Sequence, residues 1–305
     1  MSRIVVLGVF AADAIYRGSR LPAMGETVLG SAFALGPGGK GSNQAVAAGK
    51  LGADVSLITR LGKDAFAKIA YDTWADAGVT PVVVEDPEAY TGSAFIFVDD
   101  RSGENAIIIC PGAAGDLGPE DILRAEELVR GADVFLAQLE QPLAAALAGV
   151  RIAADSGVTT ILNPAPAQRL PANLLRDLTY ITPNESEAEA LTGVAVHDLA
   201  TARQAGDALL ALGVSAAVIT LGAEGALLHS AERSEHVPGV SAGPVVDTTG
   251  AGDAFNGAFA VALSEGAEPV EAARFACAAA GLSVTRKGAA TSSPRRTEVD
   301  ALLAG

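Results

Sequence analysis

Asp253 follows the turn Gly250-Ala-Gly252 and opens an apolar helical run, Ala254, Phe255, Ala258 and Phe259, within the stretch DTTGAGDAFNGAF. Backbone N–H groups in the first turn of a helix point out toward an anion. A carboxylate there is not needed as a cap, since Ser or Thr would cap equally well. Beside anion donors it is suited to taking the proton from a hydroxyl that attacks a phosphate. GAGDAF superficially matches a dinucleotide fingerprint. It lacks the last glycine and lies far from the first strand, which argues against a dinucleotide-dependent oxidoreductase.

Three other polar stretches sit beside strand ends. Gly36-Pro-Gly-Gly-Lys-Gly-Ser-Asn43 reads either as a plain tight turn before a helix capped by Ser42, or as a loop whose backbone approaches a ligand. It lacks the Walker spacing. Glu140, in QLEQP, lies just past an apolar strand, where open parallel sheets bind ligands; alone it equally suits a solvated loop. Asn184 and Glu187, in TPNESEAE, share one face of a helix start. The helix dipole favours such acids by itself. The sharper reading puts the pair on the water shell of a magnesium ion.

These residues need elements to hold them. Strands are expected over 4–9, 55–60, 134–139, 160–162, 180–182, 217–220, 225–229 and 234–237. Helices are expected over 42–50, 65–77, 143–155, 199–212, 251–264 and 270–284. The alternation points to a mostly parallel sheet covered on both faces. Residues 26–35 and 91–110 break the rhythm as strands with no helix between them, the second a hairpin turning at 99–103. They predict a small antiparallel sheet, either an edge extension or a lid over a cleft. Trp74, at helical spacing, is read as core.

The 305 residues suit one large α/β domain with such a lid, and no apolar run is long enough for a membrane span. The start MSRIVVLGVF reads as a first strand, not a signal peptide. Two distant cysteines, Cys110 and Cys277, form no disulfide framework, which suggests a reducing cytoplasm. A net charge of −15 argues against nucleic acid or anionic membrane as partner. His197, His229 and His236 have no metal-like spacing and receive no catalytic role.

The motifs MGETVLG, GGKGSNQAVAAGKLGA, QLEQP, LNPAPAQRLP, TPNESEAEALTG, ITLGAEGA, DTTGAGDAFNGA and VTRKGA occur in this order along nearly the whole chain. In this the chain resembles the ribokinase-like (PfkB) sugar kinases. The resemblance implies a three-layer α/β fold as one domain over 1–305, with a β lid from about 10–38 and 89–113 that often forms a dimer contact. It implies a phosphotransferase using ATP and magnesium, with a pentose, D-ribose first, phosphorylated on its primary 5-hydroxyl. Asp253 is then the general base, and Gly250, Ala251 and Gly252 the anion hole. Asp13, Gly39, Lys40, Asn43 and Glu140 match sugar contacts; Asn184, Thr220, Gly222, Gly225 and Cys277 match the nucleotide site. Glu187 would meet magnesium through water. A monovalent cation, K⁺, would lie among Asp247, Thr249, Ser283, Arg286, Gly288 and Ser292, largely on backbone carbonyls, with Arg286 giving its carbonyl and not its charge.

Three positions depart from the family's pattern. Ala11 stands where an Asn is usual, Gly112-Ala-Ala114 replaces Gly-Ala-Asn, and Cys277 replaces a His. A site without the amide at position 11 discriminates less against a substrate without the matching hydroxyl. The alternatives are therefore 2-deoxyribose, another sugar or sugar acid, or a nucleoside. A non-catalytic sugar-binding protein on the same scaffold is the reading from a different class.

Overall fold

A computed structural model describes residues 2–305. The strands are β1 (Arg3–Leu7), β2 (Ala11–Gly18), β3 (Ala32–Gly38), β4 (Asp54–Gly62), β5 (Val79–Asp86), β6 (Thr91–Asp99), β7 (Asn105–Gly112), β8 (Val134–Ala137), β9 (Thr159–Leu162), β10 (Tyr180–Ile181), β11 (Ala216–Thr220), β12 (Gly225–Ser230) and β13 (Ser234–Pro238). The helices are α1 (Lys40–Lys50), α2 (Ala65–Ala77), α3 (Pro119–Arg124), α4 (Glu126–Arg130), α5 (Leu143–Asp155), α6 (Ala172–Arg176), α7 (Glu185–Thr192), α8 (Leu199–Ala211), α9 (Ala251–Ser264), α10 (Pro269–Ser283) and α11 (Arg296–Ala304).

Nine strands form the main sheet in the order β13-β12-β11-β10-β9-β8-β1-β4-β5. Its pairings are parallel from β5 to β11, and β12 and β13 close one edge antiparallel. In β1, Ile4 and Val6 face one hydrophobic cluster while Val5 and Leu7 face the other. The apolar run of β1 thus follows from burial on both faces, since successive side chains alternate. Trp74 is fully buried, stacks edge-on with Phe10 and Tyr71, and its indole N–H donates to Ser42 Oγ at 2.9 Å. Truncating such a side chain costs about 3–5 kcal/mol.

The second sheet has the order β3-β2-β6-β7. It differs from the expected antiparallel sheet in one pairing: β2 runs parallel to β6, between antiparallel pairs on either side. β2 lies within the 10–38 span expected for the lid, although no strand is expected over 11–18 itself or over 79–86, where β5 forms. The strand expected over 26–35 begins only at Ala32. Helix α1 starts two residues earlier than expected, with Gly39 as its N-cap, so Ser42 lies inside it and accepts from Trp74 instead of capping.

Helices α1 and α9 pack closely. A Cβ at Gly257 would stand 2.7 Å from both the Gln44 carbonyl oxygen and Ala47 Cβ.

Candidate active site

The site lies where β1 passes into β2 and the two sheets meet. Asp13 comes from β2, Lys40 and Asn43 from the first turn of α1, Glu140 from the loop after β8, and Asp253 from the first turn of α9. Glu140 lies past the carboxyl end of the central strand β8, and β1 sits between β8 and β4 where the strand order reverses.

A cavity of about 160 Å³ adjoins Lys40 and Asp253, while Asp13, Gly39, Asn43 and Glu140 are not among the residues that line it. Lys40, Asp253 and the turn Gly250-Ala251-Gly252 line it. Asn184 and Glu187 from the start of α7, Thr220 from the end of β11, and Asn163 and Asn256 line it too. Gly250 is the N-cap of α9 with φ +77°. The Ala251 N–H is engaged with the Thr248 carbonyl at 3.2 Å, whereas those of Gly252 and Asp253 meet no acceptor among the described residues. Of the expected anion-hole residues, Gly250 and Gly252 therefore keep open N–H groups and Ala251 does not.

The Asp253 carboxylate is buried and accepts on both oxygens: Asn43 Nδ2 donates to Oδ2 at 2.9 Å and Gln44 Nε2 to Oδ1 at 3.0 Å. Burial raises its proton affinity, and Lys40, Asn43 and Gln44 oppose that rise. Asp13 is pushed up to about 6, first by burial and then by the Asp253 charge. Glu140 is pushed up to about 7 by burial, although the Lys40 backbone N–H donates to its Oε2 at 2.7 Å. Asn43 Oδ1 is buried without a partner. Three carboxylates, one ammonium and one free amide oxygen thus converge, a set suited to directional hydrogen bonds with a polyhydroxyl compound.

Asn184 and Glu187 cap α7 reciprocally: Glu187 N–H donates to Asn184 Oδ1 at 2.8 Å, and Asn184 N–H to Glu187 Oε2 at 2.9 Å. The helix-start reading of these residues is realised, yet Glu187 also faces the cavity, with its proton affinity raised by burial. Thr220 bridges to Asn184 at the end of β11.

Other expected residues lie away from the wall. Gly222 and Gly225 bracket the single turn after β11. Cys277 is buried in α10 within the core, where burial pushes its thiol up to about 12. Asp247 accepts from the N–H groups of Thr249 and Gly288, each at 2.9 Å. Ser283 Oγ and Ser292 Oγ donate to carbonyls three residues back, and the Arg286 guanidinium pairs with Glu298. Among the described residues no cluster of His, Cys, Asp and Glu is arranged to hold a metal, and no helix is long and apolar enough to cross a membrane.

Sequence reasoning missed a set of buried amides in and behind the cavity wall. Gln44, Gln138, Asn163 and Asn256 are buried: Gln44 joins Asp253 to Gln138 and, through Asn163, to the Thr182 carbonyl, while the Thr182 hydroxyl donates to Asn256, whose amide reaches the Gly252 carbonyl. No local spacing announces Gln44, Gln138 and Asn163, because their side-chain partners lie far away in the sequence.

The chain matches the pfkB family carbohydrate kinase model over residues 1–296. It is 40% identical to a ribokinase of Haemophilus influenzae over 296 residues, covering 97% of this chain and 96% of the relative. It is 37% identical to a deoxyribokinase of Salmonella typhi, covering 95% of each. The structure of Arabidopsis thaliana ribokinase complexed with ribose and ATP superposes with a TM-score of 0.92, at 35% identity and 99% coverage of both chains. By its sequence over nearly its full length and by its fold, this chain is an ATP-dependent kinase and belongs to the pfkB family of carbohydrate kinases.

Proposed function

We propose that the chain transfers the γ-phosphoryl group of ATP to the primary 5-hydroxyl of a pentose, D-ribose, giving D-ribose 5-phosphate. The observation that carries this reading is the Asp253 carboxylate in the first turn of α9, beside the open N–H groups of that turn and the Lys40 side chain. Asp253 accepts the hydroxyl proton as the oxygen attacks phosphorus. The turn from Gly250 to Gly252, with Lys40, holds the charge that develops on the transferring group. A placed base contributes roughly 10²–10⁴-fold.

Asp13, Gly39, Asn43 and Glu140 hold the remaining sugar hydroxyls. The unpartnered Asn43 Oδ1 supports this, because a buried acceptor requires a donor and a sugar hydroxyl supplies one. The nucleotide runs past Asn184, Thr220, Gly222 and Gly225, with Cys277 behind it as small apolar packing.

Glu187 fits magnesium held through water: one oxygen caps α7 and the other remains for a hydrated ion. The metal would neutralise charge on the phosphates. The loop around Asp247 fits K⁺, because the Arg286 side chain turns to Glu298 and leaves backbone carbonyls to a cation.

The small sheet acts as a lid and as a homodimer contact. Tyr16, Phe33, Ile107, Ile108 and Ile109 are exposed on it, an apolar area that a second copy would cover. Light scattering should give the mass of two chains, and Ile108→Lys the mass of one. We place the enzyme in the cytoplasm, a reducing compartment that suits the free Cys110 and Cys277.

The test is ADP release with ATP, magnesium and potassium over ribose, 2-deoxyribose, other pentoses, fructose and adenosine. Saturable turnover with ribose supports the reading; turnover confined to another compound replaces ribose and leaves Asp253 as the base. Ala11 favours 2-deoxyribose as the second reading, since its methyl group offers no hydrogen bond to a sugar hydroxyl. Restoring Asn at 11 should raise the preference for ribose, and an unchanged ratio of kcat/KM values would remove that reading.

A further inference from the structure

The buried amide set beside Asp253 has a defined direction. Gln138 Nε2 donates to Gln44 Oε1 at 2.6 Å. The Gln44 amide nitrogen then has two hydrogens, one directed at Asp253 Oδ1 (3.0 Å) and one at Asn163 Oδ1 (3.1 Å). Asn163 is oriented in turn, because its Nδ2 donates to the Thr182 carbonyl at 3.0 Å. Turning the Gln44 amide over would set its oxygen against the Asp253 carboxylate and its NH₂ against the Gln138 NH₂. Gln44 and Gln138 are both fully buried, so no water replaces a mismatched partner.

We propose that Gln44 is a positioning residue that holds the Asp253 carboxylate ionised and in one orientation, and that Gln138 fixes the direction of the Gln44 amide. With Asn43 on Oδ2 and Gln44 on Oδ1, each carboxylate oxygen keeps its remaining lone pairs for the cavity. The charged groups that face Asp253 are Lys40 from α1, Asp13 from β2, Glu140 from the loop after β8 and Glu187 from α7. Three of the four are acids and favour protonation of the base. Donors on the carboxylate oppose that, and Gln44 is one of two side chains that supply them. This inference rests on Asp253 as the base.

The test reads Asp253 without any substrate. The ¹³Cγ signal of Asp253, assigned by its loss in Asp253→Asn, is titrated in the wild type, Gln44→Leu and Gln138→Leu. Removing one charge-assisted donor should raise the midpoint by about one pH unit, a tenfold change in proton affinity. Gln138→Leu should raise it less, and the double variant should match Gln44→Leu, since the two act through one contact. In turnover assays the acidic limb should move the same way, with kcat lowered about tenfold to a hundredfold and the sugar KM little changed. A midpoint unmoved in folded Gln44→Leu overturns the proposal, as do additive shifts in the double variant. If Gln44→Leu does not fold, Gln138→Leu decides, and an unmoved midpoint there rejects the relay. Failure of the wild type to phosphorylate any sugar would count against the proposed function and would leave the titration result standing.

Discussion

Ala289 lies directly against the turn at Gly250: a Cβ at position 250 would stand 2.7 Å from Ala289 Cα and 2.8 Å from its Cβ. Gly250 also has φ +77°, where an L side chain costs about 1–2 kcal/mol. Gly250→Ala should therefore displace the first turn of α9 and lower kcat at least tenfold, with a reduced melting temperature. Wild-type turnover in this variant would show that the turn does not hold the transferring group.

Asp253→Asn preserves shape but removes the base. It should fold with a near-native melting temperature and lose roughly 10²–10⁴-fold in kcat. Turnover within a few fold of wild type would remove Asp253 from that role.

Glu140 and Asp13 make stability depend on pH in a defined direction. Their folded values, about 7 and about 6, lie above their ordinary values of 4.5 and 3.8. The folded state thus binds more protons between those limits, and these groups lose stabilising effect as pH rises from about 4 through 7. Glu140→Gln keeps an acceptor for the Lys40 N–H and cannot ionise. The ligand-free variant should melt above wild type at pH 8, on the order of a few °C, and equal it near pH 4. A wild-type advantage at pH 8 would contradict this, whatever the variant's sugar affinity.

Lys50, the last residue of α1, donates through Nζ to the carbonyls of Ala290, Thr291 and Ser293 at 3.0–3.3 Å. The same segment carries Ala289 and the proposed cation ligands Gly288 and Ser292. Lys50→Met should cost about 1–3 kcal/mol and raise the potassium concentration needed for half-activation. A destabilised variant with unchanged potassium dependence would separate the lysine from the cation loop.

Much of this arrangement was legible in the sequence because its signals are local. Helices over 65–77, 143–155 and 251–264 fall where apolar spacing and flanking glycines put them. Trp74 is core, as its spacing indicated. Lys40 and Asp253 stand at the starts of α1 and α9, and Glu140 just past the end of the parallel strand β8, so a local signal marks each of them. What local signals lack is partner information. Ser42 has the residue type of a cap, but the indole of Trp74, 32 residues on, takes its hydroxyl. Gln44 receives no role from its place in an Ala-rich helix, and only partners 94 to 209 residues away reveal its environment. The parallel pairing of β2 with β6 is equally non-local, since hairpin signals report only neighbours in sequence.

Gly257 lies one helical turn beyond Asp253, where α9 touches the backbone of Gln44. The gap between these helices therefore acts as a gauge for the site: it sets how far Asn43 and Gln44 reach to the carboxylate. A side chain at 257 would wedge the two axes apart and lengthen both hydrogen bonds together, with every catalytic group still in place. A misplacement of about 1 Å suffices to lose roughly a hundredfold in rate. The working distance of this enzyme is kept by a methyl group that is not there.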